Sequence, residues 1–405
     1  MRKPPPIFLF DIDGVLVEPR GYQAAFQATV RHFTRQMGLP DELTPDEDDI
    51  ALFEANRVTS EWDSVPLTLA ILFDRFLSLC PDADLPGEVS PACAAVNAVC
   101  SRNGNTGLLR QVHYRPSILQ FGELVEEGKY QADVALRHAR RTPGQTLFPY
   151  LGNHPLLTSL LANSRDVERS ATTRIFQHFS LGSQVFEKTY GLLAELETPS
   201  LLLAYDRPLL PPELRDRLLS AQDQGRVRLA AYTMRPSRPP AEITAFHPGY
   251  APEAEMALEL AGLSELPLIA YGRIRYLAEQ RQAEPESFLK PSPVQALAAI
   301  LAAELRAELP ALELALQLYR GEVPREGLRQ LEGWSGLQVH VFEDSVGGIQ
   351  ATHRAAQVLR EHGVEIGVHA WGCATHPEKI AALERIAAPV FSGVQPAVES
   401  ALIGL

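Results

Sequence analysis

The sequence predicts an α/β protein: a Rossmann-like, doubly wound parallel sheet with a large, mostly helical domain inserted after the first strand. Three observations carry this. A buried-strand pattern, Ile7-Phe8-Leu9-Phe10, opens the chain and stops at acidic residues. Helical periodicity then dominates to about residue 200. Beyond that, strand and helix patterns alternate to the C-terminus, as in a sheet wound by crossover helices.

Taken in order, the first strand ends at Asp11-Ile12-Asp13-Gly14. Ligands of open α/β sheets bind beyond the carboxyl ends of strands, which is where Asp11 and Asp13 fall. Two carboxylates two residues apart repel each other and invite a hard cation such as magnesium. An Asx-type turn, with Gly14 supplying the unusual backbone angle, is the plainer reading. Phe26, Val30, Phe33 and Met37 then mark one face of a helix that Gly38 and Pro40 end. Trp62 to Leu79 is a further helix, and turn-rich breaks fall at Pro81–Gly87 and 103–107.

Ser200 to Tyr205 reads equally as a strand or as a linker re-entering the core. Pro211-Pro212-Glu213 opens a helix toward Gly225, and Val227 to Tyr232 is a strand ending at Thr233. Ala254 to Leu260 is helical, and Leu266 to Tyr271 contains a short strand. Ser292-Pro293 is an N-cap followed by proline at the first helical position. Val339 to Phe342 is a strand ending at Glu343-Asp344, followed by a helix over Ile349–Glu361 and a strand at Ile366–Val368. The domains are therefore expected at 1–20 with 200–405 for the core, and 21–199 for the insertion. At roughly 180 residues that insertion is far too long for a loop.

Composition narrows the function. The chain has 405 residues, 45% hydrophobic and 21% charged, enough to bury an ordinary soluble core. A net charge of -13 argues against nucleic acid or an anionic membrane as the main partner. It leaves room for a small phosphorylated ligand held by a local cation. Cys80, Cys93, Cys100 and Cys373 show neither metal-knuckle nor disulfide spacing. After Arg2-Lys3 the apolar run is too short for a signal core, and no stretch suffices to span a membrane, so a cytoplasmic location is expected.

Four groups of residues fall where a shared pocket would form: Asp11 with Asp13, Thr233, Lys290, and Glu343 with Asp344. Singly, each has a plain reading as a strand-end threonine, a solvated lysine or an acidic helix cap. Their order changes that. Phe10-Asp11-Ile12-Asp13-Gly14, Thr233-Met234-Arg235-Pro236, Lys290-Pro291-Ser292-Pro293 and Glu343-Asp344-Ser345-Val346-Gly347-Gly348-Ile349 together resemble the four motifs of the haloacid dehalogenase-like superfamily. The last string is similar to its β-phosphoglucomutase-like branch. The resemblance covers residues 1–20 and 200–405 and implies a cap domain where the helical insertion begins.

That resemblance implies a magnesium-dependent phosphatase of a small phosphorylated metabolite. Asp11 is then the nucleophile that forms an aspartyl-phosphate, and Asp13 the general acid and base. Thr233 binds the transferring phosphoryl group, and Lys290 balances its charge and holds Asp11. Magnesium is held by Asp11, Asp344 and the backbone carbonyl of Asp13, with Glu343 as a direct or supporting partner. Arg235 is either a phosphate contact or a salt-bridge partner. A phosphoglucomutase-like transferase and a silent binding protein are the alternatives. Asp13 argues against true dehalogenation, because the superfamily's dehalogenases lack this second aspartate.

The insertion is longer than the family's usual cap. Ser60-Glu61-Trp62-Asp63 resembles a polar-tryptophan motif in the cap of one phosphatase-like branch. Glu61, Trp62 and Asp63 are thus candidates to close over substrate, while the same string reads as a helix start with a buried tryptophan. Arg115, His154 and Lys188 are basic candidates that also read as surface residues. His369, Trp371 and His376 flank a late strand end, where one is expected near the pocket rim.

Overall fold

A computed structural model describes residues 4–103, 112–126, 129–141, 147–244 and 246–403. Arg2-Lys3, and the 103–107 break from residue 104 on, lie outside them. The chain divides into two compact units, one of residues up to Pro19 and from Asp206 onward, the other Arg20–Tyr205.

The first unit is built on a six-stranded, all-parallel sheet. Its strands are β1 (Ile7–Phe10), β4 (Arg228–Tyr232), β5 (Leu268–Ile269), β6 (Leu337–Glu343), β7 (Ile366–Cys373) and β8 (Val390–Phe391). They lie in the order β5-β4-β1-β6-β7-β8. The order reverses at β1, which pairs with β4 on one side and β6 on the other. That crevice, beyond the carboxyl ends of β1 and β6, is the switch point at which such sheets bind ligands.

The residues explain the placement. All four side chains of β1 are fully buried, as required of a central strand covered on both faces. Phe8 and Phe10 pack with Phe342 against the helices Pro212–Asp223, Glu253–Leu260 and Val394–Ile403. The apolar helix Pro293–Leu305 packs against β1 and β4 and between the helices Glu308–Arg320 and Val346–Glu361. A two-stranded antiparallel ribbon, β2 (Val17–Glu18) with β3 (Arg207–Pro208), ties the chain leaving the sheet to the chain returning to it.

Two expectations change. Leu201–Tyr205 is neither strand nor linker but a short helix that packs on Arg20–Gln36 in the second unit. Leu202 is buried while Leu203 and Tyr205 are exposed, so a uniformly apolar run conceals a one-sided element. The return to the core therefore falls at Asp206. The late strand also runs past Val368 to Cys373, because its pairing with β6 continues through Gly372. His369 and Trp371 are thus interior strand residues rather than flanks of a strand end, and Trp371 stacks on His340 and Phe342. His376 directly precedes the helix Pro377–Glu384.

The second unit is helical. Phe26 and Phe33 are buried in Arg20–Gln36, and Gly38 follows with φ of +67°, the left-handed conformation that closes a helix. Rings of Phe26, Phe53, Phe121 and Phe148 pack in succession through this core at centroid spacings of 6.0–6.4 Å. No helix among the described residues is long and apolar enough to cross a membrane. Cys93, Cys100 and Cys373 are buried and Cys80 is half-buried, all with free thiols.

Candidate active site

Asp11, the first residue beyond β1, is oriented through its Oδ1. That oxygen accepts the Ile12 backbone N–H at 2.8 Å and lies 3.0 Å from Lys290 Nζ. The same ammonium donates to Glu343 Oε1 at 2.6 Å and to the Tyr232 carbonyl at 3.2 Å, and sits 3.8 Å from the centre of the Tyr232 ring. One buried cation therefore joins the ends of β1, β4 and β6.

Local structure holds each part in place. The Gln295 amide reaches the carbonyls of Thr233 and Ile269 at 2.8 and 3.1 Å, and its oxygen accepts the Lys290 N–H at 3.1 Å. Glu343 is completely buried, and its other oxygen accepts the Ser345 hydroxyl at 2.8 Å. A Cβ on Gly348 would stand 1.7 Å from Glu343 Oε1, so only glycine leaves this carboxylate room. Gly14 has φ of +73°, and a Cβ there would stand 2.5 Å from Asp344 Oδ2. The helix Pro293–Leu305 starts at the expected proline, but the Ser292 hydroxyl makes no cap hydrogen bond.

Asp11, Glu343 and Asp344 each offer an oxygen within 4.8 Å of the others. Burial, then the nearby Glu343 charge, pushes Asp11 up to about 7 against the pull of Lys290. Burial likewise pushes Asp344 up to about 6, against the ammonium of Lys379. Burial opposes the Lys290 charge, but Asp11 and Glu343 beside it hold its pKa above the ordinary lysine value. Three crowded carboxylates and an all-oxygen donor set suit a hard divalent cation.

Asp13 is placed differently. Its Oδ1 is 2.7 Å from Arg235 Nε and 2.6 Å from Nη2, and that Nη2 also lies 3.0 Å from Asp206 Oδ2. Of the two readings of Arg235, the ion pair is the one seen. The Thr233 hydroxyl, at the end of β4, accepts the Arg235 N–H at 3.3 Å, which leaves its proton free to donate elsewhere.

Glu61 and Trp62 lie in the helical unit. Trp62 is buried at the start of the helix Glu61–Leu79, with the Arg165 guanidinium 5.5 Å from its ring, and Asp63 pairs with Arg165 at 2.9 Å. The string therefore has the packing of a helix start. Arg115 begins a helix, the His154 imidazole accepts the Leu156 N–H at 3.1 Å, and Lys188 is exposed. A cavity of about 460 Å³ in this unit, lined in part by Asp74, Arg75, His113 and Phe148, has a poor candidate for chemistry in Asp74. One oxygen of that carboxylate already accepts the N–H groups of Tyr150 and Leu151 at 2.8 Å.

Asp206, Gln295 and Lys379 were not picked out from the sequence. Gln295 left a signal as the one polar residue in the otherwise apolar stretch Pro293–Ala303. Asp206 ends the apolar run Leu201–Tyr205, a signal of the kind that marks Asp11, whereas Lys379 sits in ordinary polar surroundings along the chain.

No family model matches the chain, and no curated protein matches it. An X-ray structure of a Northeast Structural Genomics Consortium target aligns with 95% of this chain and 95% of its own, at a TM-score of 0.57 and 16% identity. That similarity shows the fold alone.

Proposed function

We propose that this chain is a magnesium-dependent phosphatase of the haloacid dehalogenase type, acting on a small phosphorylated metabolite through an aspartyl-phosphate on Asp11. In this reading the helical unit is its cap. The observation that carries the proposal is the gathering of Asp11, Thr233, Glu343 and Asp344 at the carboxyl ends of β1, β4 and β6, with the buried Lys290 ammonium shared by Asp11 and Glu343.

Phosphoryl transfer requires a positioned nucleophile, neutralised phosphoryl oxygens and a proton for the leaving group. Asp11 is the nucleophile, its carboxylate aimed by Ile12 and Lys290 through Oδ1. Thr233 donates its free hydroxyl proton to a phosphoryl oxygen, and Lys290 offsets the developing charge. Asp13 protonates the leaving oxygen and then takes a proton from the water that attacks the aspartyl-phosphate. Asp11, Glu343, Asp344 and the Asp13 carbonyl would hold magnesium, which supplies further charge neutralisation.

The test is release of inorganic phosphate from a panel of sugar, acid and aryl phosphates with magnesium, beside an Asp11→Asn control. Turnover by wild type alone supports the reading. The Glu343-to-Ile349 string favours a mutase as the second reading, in which phosphate moves between hydroxyls and almost none is released. Absence of both release and transfer, with Asp11→Asn indistinguishable from wild type, would overturn both.

A further inference from the structure

We propose that Asp206 is a positioning residue for the reaction: through Arg235 it sets the direction of the Asp13 carboxylate. This rests on the reading of Asp13 as the proton carrier. Arg235 is almost fully buried, with its side chain 1% exposed, and Asp206 beside it is 2% exposed. A desolvated guanidinium between two carboxylates is directional and stiff, because its planar fork fixes where both acceptors lie.

Both Arg235 contacts to Asp13 fall on the same oxygen, Oδ1. Asp13 Oδ2 has no hydrogen-bond partner among the described residues, and this side chain is 34% exposed. One oxygen is thus tethered while the other is presented to move a proton. The tether begins at the re-entry point of the chain. Asp206 immediately precedes β3, which pairs with β2, and Leu209 N–H adds a bond to the Leu16 carbonyl at 2.9 Å. The ribbon fixes Asp206 relative to the Asp13 turn, where Gly14 N–H meets the Val17 carbonyl at 2.8 Å.

The chemistry makes this separable from a purely structural role. As the Asp11 oxygen bonds to phosphorus, the bond from phosphorus to the leaving oxygen breaks. An alkoxide must then receive the proton from Asp13 Oδ2, whereas 4-nitrophenolate departs as a stable anion. Misdirecting Asp13 therefore slows an alkyl phosphate more than an aryl phosphate.

The experiment compares wild type, Asp206→Asn, Arg235→Lys and Asp13→Asn on glycerol phosphate and 4-nitrophenyl phosphate. Asp206→Asn is expected to lose about tenfold or more additional kcat/KM, which reports the step that expels the leaving group, on the alkyl substrate, in the pattern of Asp13→Asn. Arg235→Lys keeps the charge but loses the planar fork that fixes the direction of both acceptors, and is expected to show the same selectivity if Asp206→Asn does not fold. Equal losses of kcat/KM on both substrates would overturn the proposal. A crystal structure of the Asp206→Asn or Arg235→Lys protein supplies a readout independent of turnover: Asp13 is expected to turn from its present direction, and an unmoved carboxylate refutes positioning. If wild type hydrolyses neither substrate, the phosphatase reading is judged by the wider panel above, while the crystallographic arm still decides the positioning.

Discussion

Lys290 places its ammonium 3.0 Å from the Asp11 carboxylate, and both groups are almost wholly buried. Glu343 shares that ammonium at 2.6 Å, so one cation compensates two carboxylates that solvent barely reaches. Removing it leaves uncompensated buried charge, the costliest way to break such a group. Lys290→Met is expected to lower unfolding stability by about 3–5 kcal/mol in urea titrations and to abolish phosphate release. A loss below about 1 kcal/mol would contradict the role given to this contact.

Gly348→Ala tests the space beside Glu343. The new methyl group would stand 1.7 Å from Glu343 Oε1, so the carboxylate must leave its position on Lys290. A loss of about 1–3 kcal/mol in thermal or urea unfolding is expected, with activity falling further than stability alone accounts for. Retention of full activity and melting temperature would show that Glu343 has room to move.

Magnesium is expected to stabilise the folded protein, since the three carboxylates proposed to hold it are assembled only in the fold. At a hundred times its Kd a bound ion adds about 2.7 kcal/mol. Differential scanning fluorimetry with magnesium, then with excess chelator, should raise and restore the melting temperature. Asp344→Asn should remove most of the response, and an unchanged response would place the ion elsewhere.

His340 supplies a pH dependence outside this site. Burial, then the neighbouring His369, lowers its pKa to about 4, and its Nδ1 accepts the Trp371 indole N–H at 3.1 Å. The folded chain therefore keeps this ring neutral where the unfolded chain, with a pKa near 6.5, takes up a proton. The unfolded state binds more protons between about pH 6.5 and 4, so this residue makes stability fall as pH drops through that window. Melting curves from pH 7.5 to 4.5 should fall less steeply for His340→Gln than for wild type. Parallel curves would mean that His340 titrates alike in both states.

Much of the core layout was legible because its signals are local. A run of four apolar residues bounded by Asp11 can only be a short buried element, and helical spacing identifies the face around Phe26 and Phe33. The short helix Leu201–Tyr205 and the end of β7 were not legible. An apolar run has no period that separates helix from strand, and pairing to a distant neighbour extends a strand beyond its own pattern.

The site divides in the same way. Asp11, Asp13, Thr233, Lys290 and Glu343-Asp344 could be picked out because acidic, hydroxyl and basic residues at strand and helix ends stand out from the apolar runs beside them. By itself, then, the sequence determined that β1, β4 and β6 end at Asp11, Thr233 and Glu343-Asp344, and marked these with Asp13 and Lys290 as candidates for chemistry. Only the tertiary structure decided how they pair: Arg235 with Asp13 and Asp206, Lys290 with Asp11 and Glu343, Lys379 with Asp344. Ion pairing depends on distance through space and on exclusion of water, and neither quantity has a period along the chain.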